Sequence, residues 1–372
     1  MRAGGRDARR CEVRAGPEGR PRHERQEGAA VELAVFEGTH HQVGEQLGAR
    51  YREDIVGFTE RHGVWKRPGS SHQAILRECD RIFDLLSQFG PELCEELDGI
   101  AQGADLPLET VLGYNFHNAL WYAPLQQCTN LIFRASDRGP LLIKNHDATV
   151  AEKSVYRLQH RKYDDGCRIL CVSYGGTVWA QGMSSLGLAT GGSSVHPKES
   201  NQYHVGLPDG LVGRLILERA ATTEEAITLF EELPYTGKGC NWAIADSQGE
   251  GAILEASKDK QVTLRMNGEH TCCVNYYASG QIEHQAEPKY LESARGRAAL
   301  LERYLSEDGP YTVERAQRIM SSHDGPISLC RHGGVDSLGC DTLMTHLALT
   351  AEGKMLFADQ WPCQARWTEY TV

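Results

Sequence analysis

No stretch of the 372-residue chain approaches the roughly 18 consecutive apolar residues that a membrane-crossing helix needs. Residues 1–30 are rich in Arg, Gly and Glu, have no apolar periodicity and lack the apolar core of a secretory signal. A disordered leader outside the fold is the expectation there. Basic charge is also scarce: the formal net charge is −11, which argues against a nucleic-acid partner. Strands do not alternate with helices in βαβ fashion, and no G-x-G-x-x-G follows a strand, which weighs against a dinucleotide-binding fold. No internal repeat or low-complexity segment lies beyond the leader. The twelve cysteines include Cys167-x3-Cys171 and the adjacent Cys272-Cys273, but none has zinc-site spacing with partner histidines. They read as reduced, buried small hydrophobes, and no metal or cofactor is expected. Cytoplasmic localisation, without membrane or nucleic-acid partners, is the corresponding expectation. Oligomeric state is not legible.

What is present is ordinary for a globular protein, with 40% hydrophobic and 24% charged residues. Residues 31–372 read as one domain. Val31 to Phe36 suits a strand, and Thr39 suits the N-cap of a helix with Val43, Leu47, Tyr51 and Ile55 on one stripe. The adjacent His40-His41 reads as solvated surface. Helices are predicted over Ile75–Phe89, from Pro91 through Ala104, and from Pro107 through Phe116. Strands then dominate from Cys128 to about Thr190. Two helices (Leu207–Ala220 and Thr222–Leu233) precede strands at Asn241–Ala245, Ala252–Glu255, Val262–Met266 and Thr271–Val274. Helices at Ser293–Leu305 and Val313–Met320 lead to closing strands at Asp341–Leu349, Lys354–Ala358 and Ala365–Thr371. Antiparallel-looking strand blocks interrupted by helix pairs imply sheets covered by helices.

Chemistry concentrates at a hairpin. Cys128 heads the first strand, and a Gly-Pro turn leads into Leu141-Leu142-Ile143-Lys144-Asn145-His146-Asp147. Pairing across that turn brings Cys128 toward the Asn-His-Asp cluster.

With Cys240-Asn241-Trp242, Ile327-Ser328-Leu329-Cys330-Arg331-His332, the helix PELCEELDGIAQGA and the closing WPCQARWTEYTV, these features carry a resemblance. From about Val31 to Val372 the sequence resembles the acyl-coenzyme A:6-aminopenicillanic acid acyltransferase-like family, the C45 peptidases among the N-terminal nucleophile (Ntn) hydrolases. The resemblance implies an α+β fold, a four-layer αββα sandwich of two antiparallel sheets. It implies a precursor that cuts itself at Gln127–Cys128 into residues 1–127 and 128–372, which stay together as partners. It also implies hydrolysis or transfer of an acyl group at an amide or thioester carbonyl of a small acylated amino compound, peptide or specialised metabolite, with acyl-coenzyme A admitted as a substrate.

A thiol titrates near ~8.5 and a chain α-amine near ~7.7–8.0, so an N-terminal cysteine carries its own base. By the resemblance, Asp147 orients that residue, Asn241 donates to the oxyanion, and Arg331 orients the catalytic groups or holds an acidic substrate group. The loop Gly191-Gly192-Ser193-Ser194 supplies a backbone N–H, with Gly192 and Ser193 at the substrate. Lys144 stands where relatives have an arginine, and Asn145 where the acyltransferase has a polar residue. Phe116, Trp121 and Tyr122 are candidates for an acyl pocket or for core. The family often places glycine before the nucleophile; Gln127 stands here and makes the acyl shift sterically harder. Two other readings stay open: an unprocessed scaffold or binding protein, and a conventional Cys-His hydrolase using His146 or His332.

Overall fold

The computed structural model describes residues 32–62, 65–66, 70–120, 126–195, 206–237, 239–258, 260–283, 288–324, 327–332 and 338–372. The expected leader, Trp121 and Tyr122 lie outside the described residues. From Glu32 onward the chain is one compact unit.

Strand β1 (Ala34–Gly38) leads into helix α1 (His40–His62), and a reciprocal cap forms between them. The Gln42 N–H donates to Thr39 Oγ1 at 3.2 Å, and the Thr39 N–H donates to Gln42 Oε1 at 3.0 Å. Helices α2 (His72–Phe89), α3 (Pro91–Ala104) and α4 (Leu108–Leu120) follow. α1 and α3 pack backbone against backbone. A Cβ placed on Gly99 would lie 2.1 Å from the His41 carbonyl oxygen, and one on Gly103 would lie 1.9 Å from that of Glu45. Gly44 and Gly48 face α3 in the same way.

Next come β2 (Thr129–Phe133), β3 (Leu141–Ala148), β4 (Tyr156–Tyr163), β5 (Arg168–Tyr174), β6 (Gln181–Ser184) and β7 (Leu188–Ser194). Helices α5 (Asp209–Arg219) and α6 (Thr223–Glu232) lead to β8 (Cys240–Asp246), β9 (Gly251–Ser257), β10 (Lys260–Arg265) and β11 (His270–Cys273). Helices α7 (Pro288–Leu305) and α8 (Val313–Met320) precede β12 (Asp341–Leu349), β13 (Lys354–Ala358) and β14 (Thr368–Thr371).

Two sheets result, with strand orders β1-β4-β5-β6-β7-β8-β9-β10 and β11-β2-β3-β12-β13-β14. β2 and β3 of the second sheet lie against β7 and β8 of the first, α5 and α6 cover the outside of the first, and α7 and α8 cover the outside of the second. The architecture is the αββα sandwich. One strand departs from the antiparallel expectation: β1, at the sheet edge, runs parallel to β4. That pairing joins segments far apart in sequence, so no turn chemistry announces its direction.

Alternation sorts the central strands. Leu131, Phe133, Leu141 and Ile143 join a core with Ala294, Leu301, Ala316 and Ile319 of α7 and α8. Their strand neighbours point between the sheets. His40 corrects the surface reading: it is buried, with Nε2 2.6 Å from Glu218 Oε1 and its ring stacked on Tyr163. It joins a buried network in which Arg161 and Arg214 both contact Glu96, at 3.0 and 3.2 Å.

Candidate active site

The register of the β2–β3 pair positions the site. Gln126 bridges Ala148, the Gln127 N–H donates to the Asp147 carbonyl at 2.8 Å, and Thr129 pairs with Asn145. Continuing that register sets Cys128 opposite His146. Cys128 and Asn130 therefore belong to the face between the sheets, while Gln127 and Thr129 face the helices with Asn145 and Asp147. Cys128 is a free, buried thiol.

Arg297 of α7 holds this segment from the helix side. Its guanidinium donates to the Cys128 carbonyl (2.7 Å), Thr129 Oγ1 (2.9 Å), Gln127 Oε1 (3.0 Å) and Asn275 Oδ1 (2.9 Å). Burial and the nearby Arg331 hold it down to about 10, still charged at neutral pH. Asn275 in turn donates through Nδ2 to the Ser194 carbonyl at 2.6 Å and the Gln126 carbonyl at 3.3 Å. Neither Arg297 nor Asn275 was among the expected site residues. One signal for Arg297 was in the sequence: a charged residue on the apolar stripe of Ala294, Ala298 and Leu301. Asn275 had only its place at the end of a strand.

Asp147 lies beside both arginines. Thr342 Oγ1 donates to Asp147 Oδ1 at 2.6 Å, while Oδ2 is buried without a hydrogen-bond partner among the described residues. Burial pushes its carboxyl up to about 6, and Arg331 and then Arg297 oppose that rise. Arg331 is anchored through its backbone, its N–H donating to Thr342 Oγ1 at 2.9 Å and its carbonyl accepting from the Thr342 N–H at 2.9 Å.

Other expected residues have different employment. Both amide hydrogens of Asn241 are committed in the uncut chain, to the Val274 carbonyl (2.9 Å) and the Tyr276 carbonyl (2.7 Å), so Asn241 grips the chain on either side of Asn275. Gly191 to Ser194 form part of strand β7 rather than a loop, and the Gly192 N–H donates to Gln181 Oε1 at 3.0 Å. The glycines are needed for packing: a Cβ on Gly191 would lie 2.1 Å from Asn130 Oδ1. Lys144 Nζ donates to the Gly192 carbonyl, and Ser193 Oγ accepts from Asn130 Nδ2 at 2.7 Å. Asn145 points to the helices, donating to the Met320 and Leu329 carbonyls at 2.9 Å each and accepting from Thr345 Oγ1 at 2.7 Å. Strand alternation is the reason: Lys144 and Asn145 cannot share a face.

The two histidines named as bases also have other partners. His146 Nε2 lies 2.9 Å from His346 Nδ1, and burial depresses its basicity strongly. His332 Nε2 faces Cys363 Sγ at 3.3 Å and His323 Nε2 at 3.1 Å.

A cavity of about 30 Å³ adjoins the segment, with Gln126, Gly192, Ser194 and Cys240 in its wall beside Trp179 and Trp242. It has room for a water molecule or two. Asn115 and His117 of α4 reach it, whereas Phe116 between them is fully buried.

The family model for acyl-coenzyme A:6-aminopenicillanic acid acyl-transferase matches residues 134–359, which takes in Asp147, Asn275, Arg297 and Arg331. The chain belongs to that family. The match begins downstream of Cys128. No curated protein matches the chain. Similar solved structures include penicillin V acylase from Agrobacterium tumefaciens, 14% identical over 62% of this chain and 83% of that one, with a TM-score of 0.36. A mutant of conjugated bile acid hydrolase from Clostridium perfringens is 12% identical over 66% of this chain and 97% of that one, with a TM-score of 0.37. Among the described residues, no helix is long and apolar enough to cross a membrane.

Proposed function

We propose that this family member is a cysteine-dependent Ntn enzyme whose nucleophile, Cys128, is released by cleavage of the Gln127–Cys128 bond. The observation that carries the reading is the Arg297 clamp, which fixes the Cys128 carbonyl, the Gln127 side chain and Asn275 together beside Asp147. In the uncut chain the Cys128 thiol attacks the Gln127 carbonyl carbon. The peptide C–N bond breaks, its nitrogen takes a proton, and a thioester forms. The α-amine is free from that point, and water then cleaves the thioester, releasing the Gln127 carboxylate and the thiol. The side chain at 127 that hinders this shift is itself held in place by Arg297.

In the cut enzyme the amine takes the thiol's proton, and the thiolate attacks an amide or thioester carbonyl. The unpartnered Asp147 Oδ2, next to where the chain runs past Gln127, is suited to the new ammonium group. Asn275 is the better-placed oxyanion donor: when Gln126 leaves, one Nδ2 hydrogen loses its carbonyl partner and becomes available. One such donor supplies ~2.7–4 kcal/mol. Departure of Gln126, a wall residue, also enlarges the small cavity for a substrate. The leaving amine takes a proton, and water or an amine acceptor resolves the acyl-enzyme. The substrate class is a small acylated amino compound, with an acyl-coenzyme A thioester as an alternative donor.

Intact mass measured on wild type and Cys128→Ala tests this. Fragments 1–127 and 128–372 from wild type, and one chain from the variant, are expected. A single chain that hydrolyses acyl amides would overturn the cleavage; a single inactive chain would favour a binding protein of the same fold.

A further inference from the structure

A second cluster of reactive side chains lies outside the groups used above. The segment after α8 carries His323, Cys330 and His332, and Cys363 comes from the connection between β13 and β14. One donor atom from each, two imidazole nitrogens and two sulfurs, lies within 4.8 Å of all the others. His332 Nε2 is 3.1 Å from His323 Nε2, 3.5 Å from Cys330 Sγ and 3.3 Å from Cys363 Sγ.

Hydrogen bonding accounts poorly for this arrangement. A ring nitrogen has either one hydrogen or one lone pair. His332 Nε2 therefore satisfies one of its three neighbours and leaves the other two against it. A cation at the centre satisfies all four groups at once. For zinc, with Zn–S of about 2.3 Å and Zn–N of about 2.0–2.1 Å, a tetrahedron has edges of about 3.3–3.8 Å. The three measured separations fall at or within a few tenths of an ångström of that range. Two sulfurs with two imidazoles is also the donor set that favours zinc over magnesium or calcium.

The surroundings fit as well. The His332 ring is stacked on Trp361 with centroids 4.0 Å apart and planes 12° from parallel, which fixes where its nitrogen points. Cys330 is buried, Cys363 and His332 are half-buried, and His323 is exposed, so the ion has a way in. The fold brings the four together where sequence spacing hides them: Cys330 and His332 are next-but-one neighbours, but Cys363 is contributed from across two strands.

We propose that His323, Cys330, His332 and Cys363 bind one Zn²⁺ in a tetrahedral Cys2His2 site that ties the Arg331 segment to the C-terminal β13–β14 connection. On binding, the two thiols give up their protons to solvent and form two Zn–S bonds, while the two imidazoles bind as neutral ligands. Four protein ligands leave no open position, as in a structural zinc site. Zinc binding at these four residues requires neither cleavage nor Cys128.

The test is the metal content of the full chain, expressed with added Zn²⁺ and dialysed against metal-free buffer. Roughly one zinc per chain is expected, retained in Cys79→Ser and reduced several-fold in His323→Ala and Cys363→Ser. Co²⁺ added to chelator-stripped wild type should give the visible bands of a tetrahedral thiolate site, a readout that does not depend on the variants folding. Zinc-free wild type that takes up no Co²⁺ would overturn the proposal. So would an intact mass two hydrogens short with Cys330 and Cys363 cross-linked, or unchanged zinc in both ligand variants.

Discussion

Arg297 donates to the main-chain carbonyl of Cys128 at 2.7 Å from a helix on the outside of the second sheet. A fully buried guanidinium thus reaches the backbone at the cysteine, with the other three hydrogens of its two terminal nitrogens on Gln127, Thr129 and Asn275. Arg297→Lys keeps the charge but loses the planar fork that serves four acceptors. Each abandoned buried acceptor costs about 1–3 kcal/mol. A loss of at least about 2 kcal/mol in denaturant unfolding is expected, together with slowed appearance of the 128–372 fragment.

Asn275 and Asn241 should separate kinetically. Asn275→Ala is expected to lower kcat by roughly 10²–10³ with KM little changed, the signature of a lost oxyanion donor. Asn241→Ala removes the grip on residues 274 and 276 and should raise KM and lower stability as well. Equal kcat losses with unchanged KM and stability in both variants would contradict this division.

Asp147 gives a pH signature that is clearest in the uncut Cys128→Ala chain. Its carboxyl is raised from 3.8 to about 6 by burial. Below the unfolded value it is protonated in both states. Between about 4 and about 6 only the folded chain keeps the proton, so stability falls as pH rises; above about 6 the contribution is constant. At about 1.4 kcal/mol per unit, the fall is about 2–3 kcal/mol. Unfolding of Cys128→Ala against Cys128→Ala/Asp147→Asn should show that difference narrowing from pH 4 to 6.

The α1–α3 crossing should be intolerant of a single methyl. Gly99→Ala or Gly103→Ala sets a carbon about 2 Å from a carbonyl oxygen of α1, and overpacking costs about 1–3 kcal/mol or more. A lowered Tm with unchanged kcat per folded molecule is the expected result.

Local chemistry made much of the fold legible. Thr39 caps α1, Pro91 opens α3, Thr222 caps α6, and the hairpin from Cys128 to Asp147 pairs as its sequence suggests. The misreadings share a different origin. His40 reads as surface until Glu218, 178 residues away, reaches it. The two amide hydrogens of Asn241 go to carbonyls 33 and 35 residues further along the chain, partners that no local pattern shows. Arg297 and Asn275 owe their position to pairings that join α7, β11 and β2. Such partners are set by sheet order, and no local window contains sheet order.

The buried network around Glu96 has a consequence for the proposed cleavage. Glu96 stands before residue 127, while Arg161 and Arg214, its partners with no exposed side-chain area, stand after it. β1 is likewise hydrogen-bonded to β4 across the same divide. Pulling the two pieces apart would take Glu96 from both guanidinium groups, leaving Arg214 with Glu218 and Arg161 with neutral oxygens alone. Breaking buried ion pairs in this way costs several kcal/mol. After a cut at 127–128 dilution alone would not separate the pieces: dissociation and unfolding would be one event, so the fragments should migrate as one species on a native gel and as two only in denaturant.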